Sequence, residues 1–159
     1  MAMHTWFECK IRYEKVMENG MQKKVTEPYL VDALSFTEAE ARIIEEMTPF
    51  ISGEFTVSDI KRANYSELFP SDEESADRWF KCKLIFITLD EKSGAEKKTS
   101  TQVLVQAADL RDAVKKLDEG MKGTMADYQI GMVSETPLMD VYTYSAEPND
   151  KPEFDPSKA

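Results

Sequence analysis

The chain has one histidine, His4, only two cysteines and only six glycines in 159 residues, and these shortages narrow its chemistry before any motif is sought. Nucleophilic or histidine-based acid/base catalysis needs a base within hydrogen-bond reach of its partner. A lone histidine at the extreme amino terminus reads as an incidental surface group. Two cysteines do not make a zinc site, which usually takes four ligands, so Cys9 and Cys82 read as small residues packed in strand cores. No phosphate loop is present, because Gly120-Met121-Lys122-Gly123 ends a helix instead of opening one. The spacing of Glu27, Asp32, Asp59, Glu135 and Asp140 matches no metal loop. No catalytic residue, metal or cofactor is therefore expected, and an enzyme is the less favoured class. A run of about 18 apolar residues is missing, which argues against a membrane span. The first residues carry no charged-then-apolar signal, which sets the expectation of a cytoplasmic protein.

What is present is repetition. Trp6-Phe7-Glu8-Cys9-Lys10-Ile11 returns as Trp79-Phe80-Lys81-Cys82-Lys83-Leu84, an offset of 73 residues. An offset of 74 then places Leu30, Val31, Ala33, Ala39 and Met47 on Leu104, Val105, Ala107, Ala113 and Met121. It reverts to 73 where Glu54-Phe55-Thr56-Val57 meets Asp127-Tyr128-Gln129-Ile130 and Leu68-Phe69 meets Val141-Tyr142. Both changes fall in stretches that read as loops, where insertions do least harm.

Each half shows the same order of signals. Phe7, Cys9, Ile11 and Tyr13 alternate with Glu8, Lys10, Arg12 and Glu14, the period of a strand with one buried face. Asn19-Gly20 marks a hairpin turn, and the return strand runs from about residue 22 to 33, with Pro28 pointing to an edge or a bulge. Ser35 and Glu38 make a capping box for a helix whose stripe is Ala39, Ile43 and Met47. A third strand follows from 54 to about 62, and a short apolar piece, 65–69, completes the unit. The second half repeats this with Asp109 as the cap. The predicted fold class is α+β: an internal duplication of a β-β-α-β(β) unit, antiparallel sheets with one helix per repeat, and a pseudo-twofold axis. The segments are a first repeat at 6–69, an acidic linker at 70–78, a second repeat at 79–144, and a disordered, acidic, proline-rich tail at 145–159.

The net charge of −10 favours solubility and disfavours broad attraction to nucleic acid or anionic membrane. The residues from Pro70 to Asp77 and those from Ser145 onward hold eight acids against two lysines, so the remaining body is much closer to neutral.

The whole-length pattern of Trp-Phe-x-Cys-Lys, Thr26-Glu27-Pro28-Tyr29-Leu30-Val31-Asp32-Ala33 and Glu135-Thr136-Pro137-Leu138-Met139-Asp140-Val141 resembles an uncharacterised domain-of-unknown-function family found mainly in gut-dwelling bacteria of the Bacteroidetes type. That resemblance implies a small cytoplasmic protein and brings no activity, cofactor or catalytic residue with it.

Two candidate binding surfaces follow from the repeat. Trp6 with Lys10 and Arg12, and Trp79 with Lys81 and Lys83, lie on the strand face opposite the core-facing phenylalanines. They could anchor a protein partner or a second copy, at the joint or on the sheet face. The same residues, with Lys23-Lys24 and Lys97-Lys98, could instead stack single-stranded nucleic acid. A small-ligand enzyme using carboxylates at the joint is a more distant alternative. One asymmetry stands out: the face that carries Arg12 and Glu14 in the first half carries Ile85, Ile87 and Leu89 in the second, which calls for a cover on both sides of that strand.

Overall fold

The computed structural model describes residues 5–143; His4 and the expected tail lie outside them. The elements in order are β1 (Trp6–Val16), β2 (Gln22–Asp32), α1 (Phe36–Met47), β3 (Phe55–Ala63), β4 (Glu67–Phe69), β5 (Arg78–Leu89), β6 (Glu96–Ala107), α2 (Leu110–Gly120), β7 (Asp127–Glu135) and β8 (Val141–Tyr142). The architecture is α+β, with two four-stranded, mainly antiparallel sheets ordered β3-β1-β2-β8 and β4-β6-β5-β7. Helix α1 packs on β1, β2 and β3, and α2 on β4, β6 and β7. No helix among the described residues is long and apolar enough to cross a membrane.

Alternation and turns explain the hairpins. In β1 the odd residues Phe7, Cys9 and Ile11 are buried, and in β5 the even residues Phe80, Cys82 and Leu84 are; each set forms one side of a core beneath its helix. Gly20 takes the left-handed conformation (φ 82°) that the first turn requires, and Gly94 (φ 72°) does so in the second. The cap of α1 forms at Ser35, whose hydroxyl accepts from the Glu38 amide at 3.1 Å. The Glu38 carboxylate reaches back one residue further than the usual box, to the Leu34 amide at 2.6 Å. Asp109 and Asp112 do the same for α2, with the Ala108 amide donating to Asp112 at 3.0 Å. Helix α2 ends at Gly120, short of Gly123, which takes a left-handed φ of 89° in the turn that follows.

The pairing registers of the two sheets coincide under the sequence offsets. Glu14 faces Lys24 as Ile87 faces Lys98, and Tyr13 faces Phe55 as Phe86 faces Tyr128. A bulge interrupts β1 against β3 between Lys10 and Ile11 and β5 against β7 between Lys83 and Leu84, the equivalent place. At the bulge the Ser58 hydroxyl donates to the Lys10 carbonyl at 3.3 Å. Its counterpart Gly131 leaves room instead for the Ile85 side chain, which an added Cβ would meet at 2.9 Å.

The boundaries expected at 69 and 79 are corrected by the short strands. Leu68 and Phe69 do not complete the first half; β4 runs parallel to β6, with Leu68 opposite Leu104. Reciprocally, β8 runs parallel to β2, with Val141 opposite Leu30. Among the described residues, 5–63 with 140–143 form one unit and Asn64–Met139 the other. The acidic stretch 70–78 is also no free linker. The Ser71 amide donates to Gln106 at 2.9 Å, Ala76 is buried, and Lys116 holds Glu73 at 2.8 Å and Asp112 at 3.0 Å. Burial pulls the Lys116 pKa down, but these two carboxylates outweigh it and the ammonium is held above its usual range. Pro28 lies where β2 has no strand on its far side, since β8 reaches only Leu30 and Val31.

Candidate functional site

The expected anchor residues sit on the sheet face away from each helix. In the first unit Trp6, Lys10 and Arg12 share one face of β1, and in the second Trp79, Lys81 and Lys83 share the equivalent face of β5, as strand alternation requires. The two indoles, however, are not surface anchors: Trp6 is 4 % and Trp79 5 % exposed. Leu30 and Leu104 on the same faces are fully buried. A ring covered to that degree cannot stack a base or fill a partner's pocket, so both tryptophans are core residues of the second sheet face. Strand alternation gives a side chain's direction but not what lies over it. The cations differ from the rings in exposure. Arg12 is exposed, while Lys10, Lys81 and Lys83 are half-buried. Lys83 borders a depression of about 300 Å³ with Asn64, Ser100 and Gln102.

Beyond these positions the equivalent faces diverge. Arg12, Glu14 and Val16 at the distal end of β1 correspond to Ile85, Ile87 and Leu89 on β5. Ile85 and Ile87 are half-buried, Leu89 is 67 % exposed, and Met132, opposite Lys83 on β7, is 43 % exposed. The result is an apolar strip bordered by Lys81, Lys83 and, opposite Ile87, Lys98. In the first unit the same region holds the charges of Arg12 and Glu14 beside the exposed Val16. A cleft of about 630 Å³ lies there, lined by residues of β1, β2, the start of β3 and the loop before it, among them Arg12, Glu14, Lys24 and Glu54.

A polar network in the first unit, not anticipated from sequence, lies on the helix-facing side. Glu27 Oε1 accepts from Tyr13 at 2.9 Å and from Tyr29 at 3.3 Å, and Glu27 Oε2 lies 3.6 Å from Lys15 Nζ. Tyr29 stacks on Tyr142 of β8, with ring centroids 6.1 Å apart. Burial, followed by the nearby carboxylate charge, raises the Tyr29 phenol above its ordinary range. Tyr142 is pushed up to about 12 by burial and by the charges of Asp140 and Glu46. The second unit has Phe86, Thr101 and Val103 at the positions of Tyr13, Glu27 and Tyr29. The signal was available in the hairpin register, which sets Glu27 opposite Ile11, on the same face as Tyr13.

Cys9 and Cys82 are fully buried free thiols, pushed up to about 12 and about 11, mainly by burial. Such groups are poor nucleophiles. Among the described residues no group of three or more histidine, cysteine, aspartate or glutamate side chains is placed to hold a metal ion.

Neither the curated proteins nor the solved structures contain a match to this chain. A family does match, over residues 5–144, and its span takes in every strand and both helices of the two units. The chain belongs to that family, Domain of unknown function (DUF4494).

Proposed function

We propose that the chain is an internally duplicated, non-catalytic binding module whose second half carries the docking face. Its place is the cytoplasm, a reading that the two free, unpaired thiols support. The duplication is supported by the shared registers, the equivalent bulges, the matching caps and the reciprocal placement of β4 and β8. The observation that carries the functional reading is the replacement of Arg12, Glu14 and Val16 by Ile85, Ile87 and Leu89 on one strand face. Exposed apolar side chains on a defined face mark interaction sites, and the second unit sets three in a row where the first has Val16 alone beside Arg12 and Glu14.

The partner is a different protein and not a second copy. A second copy docking the same face would bring another set of the same lysines to its border. The lysines bordering the strip favour a partner whose apolar side chains are flanked by carboxylates. With both indoles buried, the nucleic-acid reading lacks its stacking surface.

Capture from a nuclease-treated bacterial lysate with the parent protein, Leu89→Asp and Arg12→Ala tests this. A protein retained by the parent and by Arg12→Ala but weakened at least about tenfold by Leu89→Asp, with unchanged melting of all three, is the expected result. A dimer mass for the purified chain in light scattering, or equal capture by Leu89→Asp, would overturn it.

A further inference from the structure

We infer that the depression beside Lys83 is a binding site for a phosphate-sized oxyanion, either free or as a phosphomonoester. It shares Lys83 with the border of the docking face but needs no protein to dock there.

Strand pairing assembles the site within the second unit. The depression of about 300 Å³ is lined by Asn64, Lys83, Ser100, Thr101 and Gln102. Lys83 lies opposite Gln102 and Ile85 opposite Ser100, so Lys83, Ser100 and Gln102 project from one face of the sheet. The Gln102 carbonyl accepts from the Ser66 amide at 2.8 Å and from its hydroxyl at 3.2 Å. That carbonyl therefore points away from β5, which makes Lys83 and Gln102 a non-hydrogen-bonded pair, the kind whose side chains lie closer together. The same two bonds pin the segment carrying Asn64 beside β6.

Charge and the set of donors name the occupant. No carboxylate lines the depression, and the half-buried Lys83 forms no ion pair among the described residues. Glu67, the acid closest to Asn64 in sequence, lies opposite Val103 and so projects from the other face. The repeat does not impose this arrangement. Lys10, the equivalent cation of the first unit, has Asp59 opposite it on β3 and Glu8 beside it on the same face. At those two places Lys83 has Met132 and Lys81. On the remaining side Pro28, opposite Lys10, is replaced by Gln102. Around its cation the second unit thus has a lysine, a methionine and an amide where the first has two carboxylates and a proline. The Lys83 ammonium, the Ser100 hydroxyl and the Asn64 and Gln102 amides are donors from three separate segments. Such a set surrounds a tetrahedral oxyanion better than a flat carboxylate, and the ammonium makes its bond a charge-assisted one.

The test titrates the full chain with inorganic phosphate, phenyl phosphate or acetate, with sodium chloride holding the ionic strength constant, and follows amide NMR shifts. Phosphate should give saturable shifts at Asn64, Lys83, Ser100 and Gln102, and acetate should bind at least about tenfold more weakly. Lys83→Gln should weaken phosphate binding at least about tenfold, and Met132→Asp, which restores the counter-charge of the first unit, should weaken it likewise. Lys10→Gln and Leu89→Asp, the latter about 20 Å further along β5, should bind phosphate as the parent does, so the anion site and the docking face fail separately. Phenyl phosphate binding as tightly as inorganic phosphate assigns the site to an esterified phosphoryl group, and binding of inorganic phosphate alone assigns it to the free ion. Absence of saturable shifts at the solubility limit, equal binding of acetate and phosphate, or undiminished binding by Lys83→Gln would each overturn the assignment.

Discussion

Substituting Gly120 by alanine reports directly on where β4 lies. Gly120 is the last residue of α2 and its φ is not left-handed, so on propensity alone alanine stabilises the helix by up to about 1 kcal/mol. The added Cβ, however, would sit 2.9 Å from Cδ1 and Cε1 of Phe69 and 3.1 Å from its Cγ. The contact reaches the root of the ring, so a small rotation of Phe69 does not relieve it, and its backbone is held by pairing with Val105. Overpacking of this kind costs about 1–3 kcal/mol, which exceeds the propensity gain and leaves a net loss of about 0.5–2 kcal/mol. Without the ring the sign reverses: in Phe69→Ala, the same Gly120→Ala change stabilises. Urea unfolding of the parent, both single variants and the double variant yields the coupling, expected at about 1–3 kcal/mol. If Gly120→Ala stabilises the parent, or the cycle closes without coupling, β4 is not packed on α2 and the exchange of the short strands between units is refuted.

Two further tests concern buried polar groups. In the folded protein Cys9, Cys82 and Tyr142 keep their protons to about 12, 11 and 12, against ordinary values of 9.0, 9.0 and 10.0. The unfolded chain releases them first, so stability is full below about pH 9 and declines as pH rises towards 12; a urea midpoint unchanged between pH 8 and pH 11 would contradict this. Glu27→Ala strips Tyr13 and Tyr29 of a shared acceptor and should destabilise by about 1–3 kcal/mol, with Tyr13→Phe costing about 1 kcal/mol, both measured by the same unfolding assay. A neutral Glu27→Ala would mean that water replaces the carboxylate without loss.

Period and punctuation were enough to locate the strands of each hairpin and both helix caps, because each depends on neighbours a few residues apart. Alternation placed Phe7, Cys9 and Ile11 inward, and Asn19-Gly20 set the turn from which the register follows. The exchange of β4 and β8 was not legible, for a specific reason. Leu68-Phe69 can pair equally well with Leu30-Val31 or with Leu104-Val105, since the two sites present the same kinds of side chain. The burial of Trp6 and Trp79 was not legible for a different reason: alternation sets the direction of a side chain and says nothing of its cover. The segment around Glu73 read as a linker from its acidity. Its anchor, Lys116, lies 43 residues away and is only 14 % exposed.

The path of the chain through the two sheets also bears on the order in which they form during synthesis. The second unit is contiguous, from Asn64 to Met139, and has all four of its strands once that stretch has been made. The first unit begins earlier but waits for Val141 and Tyr142 to fill the place beside β2. Domains fold as units while the chain emerges from its amino end, and here that rule runs against the numbering. The half made later reaches its full sheet first, and the half made first stays one strand short until the last described residues appear. A truncation just before Asp140 would leave the second sheet whole and expose the flank of β2 at Leu30 and Val31, a ready edge for another chain.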